Sequence, residues 1–132
     1  MKVKKSELIG PALDWAVAKC EGVKVRLSPT GFLTYSDRSV PTGPQGRVYE
    51  PSTAWAQGWP ILEAAEISII RDWDRVFDHD EEVEVWYGEK PGSPPDMSLV
   101  EYGPTPLIAA MRCYVASKLG EEVEVPDELL LK

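Results

Sequence analysis

The sequence predicts an α+β fold, a single domain over residues 1–132 in which a mainly antiparallel sheet of about five strands is packed by two main helices. Three observations carry this expectation. Two segments with apolar residues at helical spacing open on a proline and close on a glycine, Pro11 to Gly22 and Pro106 to Gly120. Short segments that alternate apolar and polar residues lie beside them, the pattern of half-buried strands. Turn-forming clusters of glycine and proline separate the segments, and no long repeat is present.

Each element has a local reason. Val3, between lysines, suits an edge strand or a lead into the first helix. Gly10-Pro11 opens that helix, Leu13, Val17 and Cys20 form its apolar face with Trp15, and Gly22 stops it. Val23 to Leu27 alternates as a strand, Ser28 to Gly31 turns, and Phe32 to Tyr35 returns. Residues 36–46 hold two prolines and two glycines and read as an irregular loop. Arg47-Val48-Tyr49 is a short strand. Ser52 and Thr53 are N-cap residues for a short turn through Trp55, which Gly58 should interrupt before Pro60 restarts a helix to Ala65. Ile67 to Ile70 and Val83 to Tyr87 are strands, with a loop around residues 92–95. Thr105 caps the last helix, whose face is Ile108, Met111, Val115 and Leu119, flanked by Leu107 and Tyr114. Glu122 to Val125 closes as a strand before a terminal turn at Pro126-Asp127.

Composition excludes several functions. With 43% apolar and 27% charged residues among 132, the chain is expected to fold as a soluble globular domain. No apolar run reaches the roughly 18 residues of a membrane span. The first residues lack the apolar core of a signal peptide, and Glu7 and Asp14 oppose a transit peptide, so the cytoplasm is the expected compartment. Cys20 and Cys113 form no CxxC pair and are expected as buried thiols. The net charge of −8 is uneven: nine Lys/Arg face seven Asp/Glu in residues 1–71, and five face fifteen in residues 72–132. No basic stripe offsets the phosphates of a duplex, so duplex nucleic acid is not expected as a partner, whereas a small anion suits the first half.

Catalytic and cofactor signatures are missing. The chain has no GxxxxGK[ST] loop, no GxGxxG after a strand and no GxSxG elbow. His79 is the only histidine and would have to serve alone as a general base. A calcium loop counted from Asp72 has Phe77 in place of its glycine and Val83 in place of its bidentate glutamate. Cys20, Cys113 and His79 lack zinc-ligand spacing. No metal, cofactor or catalytic residue is expected, and an enzyme is the weakest reading.

The segment from Tyr49 to Pro60 is more informative. It gathers Tyr49, Ser52, Thr53, Trp55, Gln57 and Trp59, and a helix would place Trp55 and Trp59 on one face at i and i+4. Tryptophan faces stack on bases, Ser52 and Thr53 suit an anionic group at a helix start, and Arg47 and Arg71, with Arg38, supply counter-charge. Against this stands an ordinary role for Trp55 in the core and for Ser52 and Thr53 as caps.

Three blocks carry a family resemblance. The opening from Met1 to Gly22, with Gly10-Pro11-Ala12-Leu13-Asp14-Trp15-Ala16, resembles the NinX-like family of lambdoid phages and prophages. So do Pro51-Ser52-Thr53 with Trp55-Ala56-Gln57-Gly58 and Pro60-Ile61, and the ending from Tyr102-Gly103-Pro104-Thr105-Pro106 to Leu129. The chain departs at Ala54, where the family places an acid or amide, and at Trp59, where it places glycine; residues 72–100 show no visible match.

The resemblance implies a phage accessory protein in the host bacterial cytoplasm. Other small α+β phage proteins sequester nucleotide signals of host defence, and the Pro-Ser-Thr-x-Trp segment is similar to a Pro-Ser-Gln and Trp region in one such family. The resulting expectation is a non-enzymatic binder of a small anionic nucleotide-type ligand, which sequesters a host anti-phage defence signal. The ligand-binding residues are Tyr49, Ser52, Thr53, Trp55, Gln57, Trp59, Arg47 and Arg71. The alternative is a protein-interaction module that meets a host or phage factor through the acidic half, where Asp72 to Glu84 is dense in carboxylates around Arg75. No membrane partner is expected, and a closed homo-oligomer would suit a ligand pocket at an interface.

Overall fold

The computed structural model describes residues 1–29, 31–36, 48–73, 86–92 and 99–130. Among the described residues, seven strands form small antiparallel sheets, and three α-helices pack with them, one of them central. The strands are β1 (Lys2–Lys4), β2 (Val25–Leu27), β3 (Leu33–Tyr35), β4 (Ser68–Arg71), β5 (Trp86–Lys90), β6 (Leu99–Gly103) and β7 (Glu122–Glu124). The helices are α1 (Gly10–Glu21), α2 (Trp55–Ala64) and α3 (Pro106–Leu119).

The α+β expectation holds, but the strands divide into sheets of two and three rather than one sheet of about five. β1 pairs with β7, β2 with β3, and β4, β5 and β6 form the three-stranded sheet, all antiparallel. A hairpin can be read from its own turn. The β1–β7 pair joins the two ends of the chain and has no such local signal. Val48, expected within a short strand, makes only an isolated bridge to Thr34.

α3 is the centre of the fold. Thr105 caps it as expected, its Oγ1 accepting from the Ile108 amide at 3.1 Å. Every residue from Leu107 to Ala116 is buried, so the expected apolar stripe is instead a helix enclosed around nearly its whole girth. Even Arg112 is buried: its Nε donates to the Leu8 carbonyl at 2.8 Å and a terminal nitrogen donates to the Tyr102 carbonyl at 3.0 Å. A buried charge needs such partners to offset its lost hydration.

Close approach explains the glycines against α3. A Cβ at Gly88 would lie 2.7 Å from Ala110 Cα, and one at Gly103 would lie 2.5 Å from the Ala109 amide nitrogen. β5 and β6 therefore rest almost directly on the helix backbone. α2 approaches from another side through Gly58, where a Cβ would meet the Pro51 carbonyl oxygen at 2.4 Å and Leu107 Cδ1 at 2.8 Å.

That contact corrects the expected break in α2. Gly58 does not interrupt the helix but seats it, and the residue before the helix is Ala54, with no side-chain cap from Ser52 or Thr53. Pro60 lies inside α2. Its missing donor leaves the carbonyl of Ala56 without its helical bond, and Ala56 is exposed to water. α1 matches its expected ends, with Gly22 at a left-handed φ of 71°. Cys113 is buried, Cys20 half-buried, and both are free thiols.

Candidate functional site

The pleat of the three-stranded sheet sorts its side chains. Gly88 and Gly103 face α3, so Tyr87, Glu89, Val100 and Tyr102 occupy the opposite face, where Tyr87 is registered with Tyr102 and Glu89 with Val100. These four residues, together with Arg71, Asp72 and Trp73 at the end of β4, line a cavity of about 510 Å³. That volume falls within the ordinary range for small-molecule sites.

The cavity combines rings with a few polar groups. The Tyr87 and Tyr102 rings are tilted by 50° with centroids 5.4 Å apart. The Tyr102 hydroxyl donates to Asp72 Oδ2 at 3.1 Å, which fixes the ring at the edge of the cavity. The Arg71 guanidinium carbon lies 5.1 Å from the Trp73 ring centroid and 5.2 Å from that of Trp86. Both contacts fall within cation–π range and hold the arginine at the end of the strand. Arg71 Nε is buried without a hydrogen-bond partner among the described residues. Trp73 is 65% exposed. Aromatic rings, one guanidinium and two carboxylates, one of them bonded to the Tyr102 hydroxyl, thus line one cavity.

A second cavity, of about 170 Å³, lies where α1 meets the chain before α2. Asp14, Tyr49, Glu50 and Thr53 are its polar lining, and Pro11, Phe32, Leu33 and Val48 contribute apolar walls. Asp14 is 5% exposed, and its Oδ1 accepts the Ser52 amide at 2.8 Å. Burial pushes the Asp14 pKa up to about 6, nearby Glu50 adds to the rise, and the contacts from Ser52 oppose it. Tyr49 packs edge-on against Tyr35, with centroids 5.1 Å apart, and burial raises its pKa. The Tyr49 hydroxyl is buried without a hydrogen-bond partner among the described residues.

Those residues singled out from sequence that the structure describes do not form one cluster. Trp55 and Trp59 share the exposed face of α2, each 49% exposed, with ring centroids 6.5 Å apart. Thr53 is exposed, and its hydroxyl donates to the Glu50 carbonyl at 3.4 Å. Tyr49 and Ser52 lie in the core. Gln57 braces the backbone, accepting from the Glu50 amide at 2.8 Å and donating to the Val48 carbonyl at 2.9 Å. Arg71 lines the sheet cavity, among other partners. Arg47, Arg38 and His79 lie outside the described residues, as does most of the acidic stretch from Asp72 to Glu84.

Trp73, Tyr87 and Tyr102 escaped the sequence reading. Tyr87 belonged to an expected strand, but which face it shared, and with what, depends on the register against β6. Among the described residues no group of His, Cys, Asp and Glu is arranged to hold a metal ion, and no helix is long and apolar enough to cross a membrane.

Among known proteins, residues 4–118 match the family model described as "Bacteriophage P22, NinX". The match runs through residues 72–100, where motifs alone showed no likeness. No curated protein matches the chain.

Proposed function

The chain belongs to the bacteriophage P22 NinX family, and from that premise we propose that this phage accessory protein is a non-enzymatic binder of a small nucleotide-type ligand, sequestering a host defence signal. The observation that carries the reading is the sheet cavity, which gathers Arg71, Trp73, Tyr87 and Tyr102 in about 510 Å³. Rings of this kind stack on a nucleobase, a contact worth about 1–3 kcal/mol in single-stranded complexes. A guanidinium fork pairs with a phosphate. Asp72 and Glu89 are acceptors for the N–H groups of a base edge.

The charge balance narrows the class of ligand. One arginine beside two carboxylates repels a polyphosphate, so the fitting ligand carries few phosphates.

Native mass spectrometry of the protein purified from its bacterial host, before and after denaturation, tests the proposal. The expected result is a released molecule with nucleotide absorbance, retained by the wild type and lost from Arg71→Ala and Tyr87→Ala variants of unchanged fold. An empty protein, together with no quenching of tryptophan fluorescence by nucleoside monophosphates or cyclic nucleotides, overturns it.

A further inference from the structure

The cavity beside α1 has the character of a side-chain pocket rather than of a nucleotide site. Its charged lining consists of two carboxylates, Asp14 and Glu50, and no lysine or arginine lines it. Its walls include Pro11, Phe32, Leu33 and Val48, and Phe32 is 54% exposed. Anions are disfavoured there, and an apolar ligand would leave the carboxylates unpaired. Tyr49, only 4% exposed, adds its ring to the same lining. A buried carboxylate is a costly feature that an incoming cationic donor relieves.

We infer that this cavity receives a basic side chain, lysine or arginine, from a partner protein. The flexible aliphatic stem of such a residue lies along Phe32, Leu33 and Val48, burying its methylenes while the cationic head reaches Asp14 and Glu50. About 170 Å³ suits one extended side chain and excludes a nucleotide. Asp14 serves as the inner counter-ion because its other attachment, the Ser52 amide on Oδ1 at 2.8 Å, fixes its orientation. Glu50 stands at the less buried side, and Thr53 adds a polar group on the rim. The inference does not rest on the nucleotide reading, because none of these residues lines the sheet cavity.

The test uses the whole protein, labelled with ¹⁵N, titrated with N-acetyl-lysine N-methylamide as the probe of a lysine within a peptide. The norleucine analogue, which keeps the stem and lacks the ammonium, is the control, and spermidine stands for free cellular amines. The expected result is a saturable shift of the Asp14, Phe32, Tyr49 and Glu50 amide signals at millimolar probe, at least tenfold weaker with norleucine. Asp14→Asn keeps an acceptor for the Ser52 amide and should weaken the lysine probe about tenfold. Glu50→Gln, at a half-buried position, should weaken it severalfold and keeps the test decisive if the Asp14 variant folds poorly. The inference is overturned if these signals stay fixed, if norleucine binds as well, or if neither substitution changes binding. Tighter binding of spermidine than of the lysine probe also overturns it, since the site would then serve a free amine.

Discussion

The backbone amide of Ser52 donates to Asp14 Oδ1 at 2.8 Å, fastening the turn before α2 to α1 across 38 positions of sequence. The carboxylate that makes this bond is nearly enclosed, and that burial gives it an unusual effect on stability. Its pKa rises from 3.8 to about 6 in the folded protein. A carboxyl whose folded pKa exceeds its unfolded value binds protons preferentially in the fold. Its contribution therefore favours folding at acid pH and declines as pH rises from about 4 through 6. A shift of this size corresponds to about 3 kcal/mol. Urea denaturation of wild type and Asp14→Asn between pH 4 and 8 isolates the term as a difference. We expect the variant to gain on the wild type as pH rises; parallel curves would contradict the burial.

Gly58 offers a second test, because two effects compete there. Alanine at an exposed helix position gains roughly 1 kcal/mol over glycine. Here the added methyl would lie 2.4 Å from the Pro51 carbonyl oxygen and 2.8 Å from Leu107 Cδ1. Overpacking of this kind costs about 1–3 kcal/mol and opposes the propensity gain. Backbone cannot move aside as a flexible side chain can, so Gly58→Ala should be net destabilising. A lowered melting temperature in calorimetry confirms the sign, and Gly103→Ala should be worse, since its methyl would meet two α3 backbone atoms, at 2.5 and 2.7 Å, and a strand position offers no helix-propensity gain to offset them.

These contacts also explain how far the sequence was legible. Helix ends are local chemistry, so Thr105, Pro106, Gly120 and Gly22 could be read from their neighbours alone. Gly58 could not, because its reason for being glycine is a carbonyl on Pro51 and side chains on α3, beyond any helix-breaking tendency of its own. The partition of the strands was hidden in the same way, since β1 finds its partner at the far end of the chain. At the candidate site, Arg71 stood out by charge and Trp55 with Trp59 by helical spacing. Tyr87 and Tyr102 meet only through the β5–β6 register, which no local pattern specifies.

Arg112 is a third case of distant coupling. It joins the Leu8 carbonyl near the start of the chain to the Tyr102 carbonyl on β6. Arg112→Met fills much of the same volume but leaves both carbonyls without these donors, an expected loss of about 2–4 kcal/mol. Arg112→Lys keeps the charge without the fixed fork and should lose less. Because Tyr102 lines the sheet cavity, both variants should also weaken any ligand held there more than a surface change would. Chemical denaturation and ligand retention on the same samples check the two effects together.

The tryptophans separate the two surfaces on which a planar ligand could stack. Trp55 and Trp59 are half exposed on α2, whereas Trp73 stands beside Arg71 at the sheet cavity. Alanine at Trp55 and Trp59 removes two half-exposed rings and should lower stability by about 1–3 kcal/mol while the fold persists. If the cavity is the binding site, this double variant retains its ligand, whereas Trp73→Ala, which frees Arg71 from one of its two rings, weakens retention about tenfold. Fluorescence gives an independent reading, because a ligand in the cavity should quench the emission of Trp73 and Trp86 and spare the α2 pair. Loss of ligand from the Trp55 and Trp59 variant alone would move the site to α2. It would then rest on the helix-face stacking that the i, i+4 spacing first indicated, with Arg71 excluded from the phosphate contact.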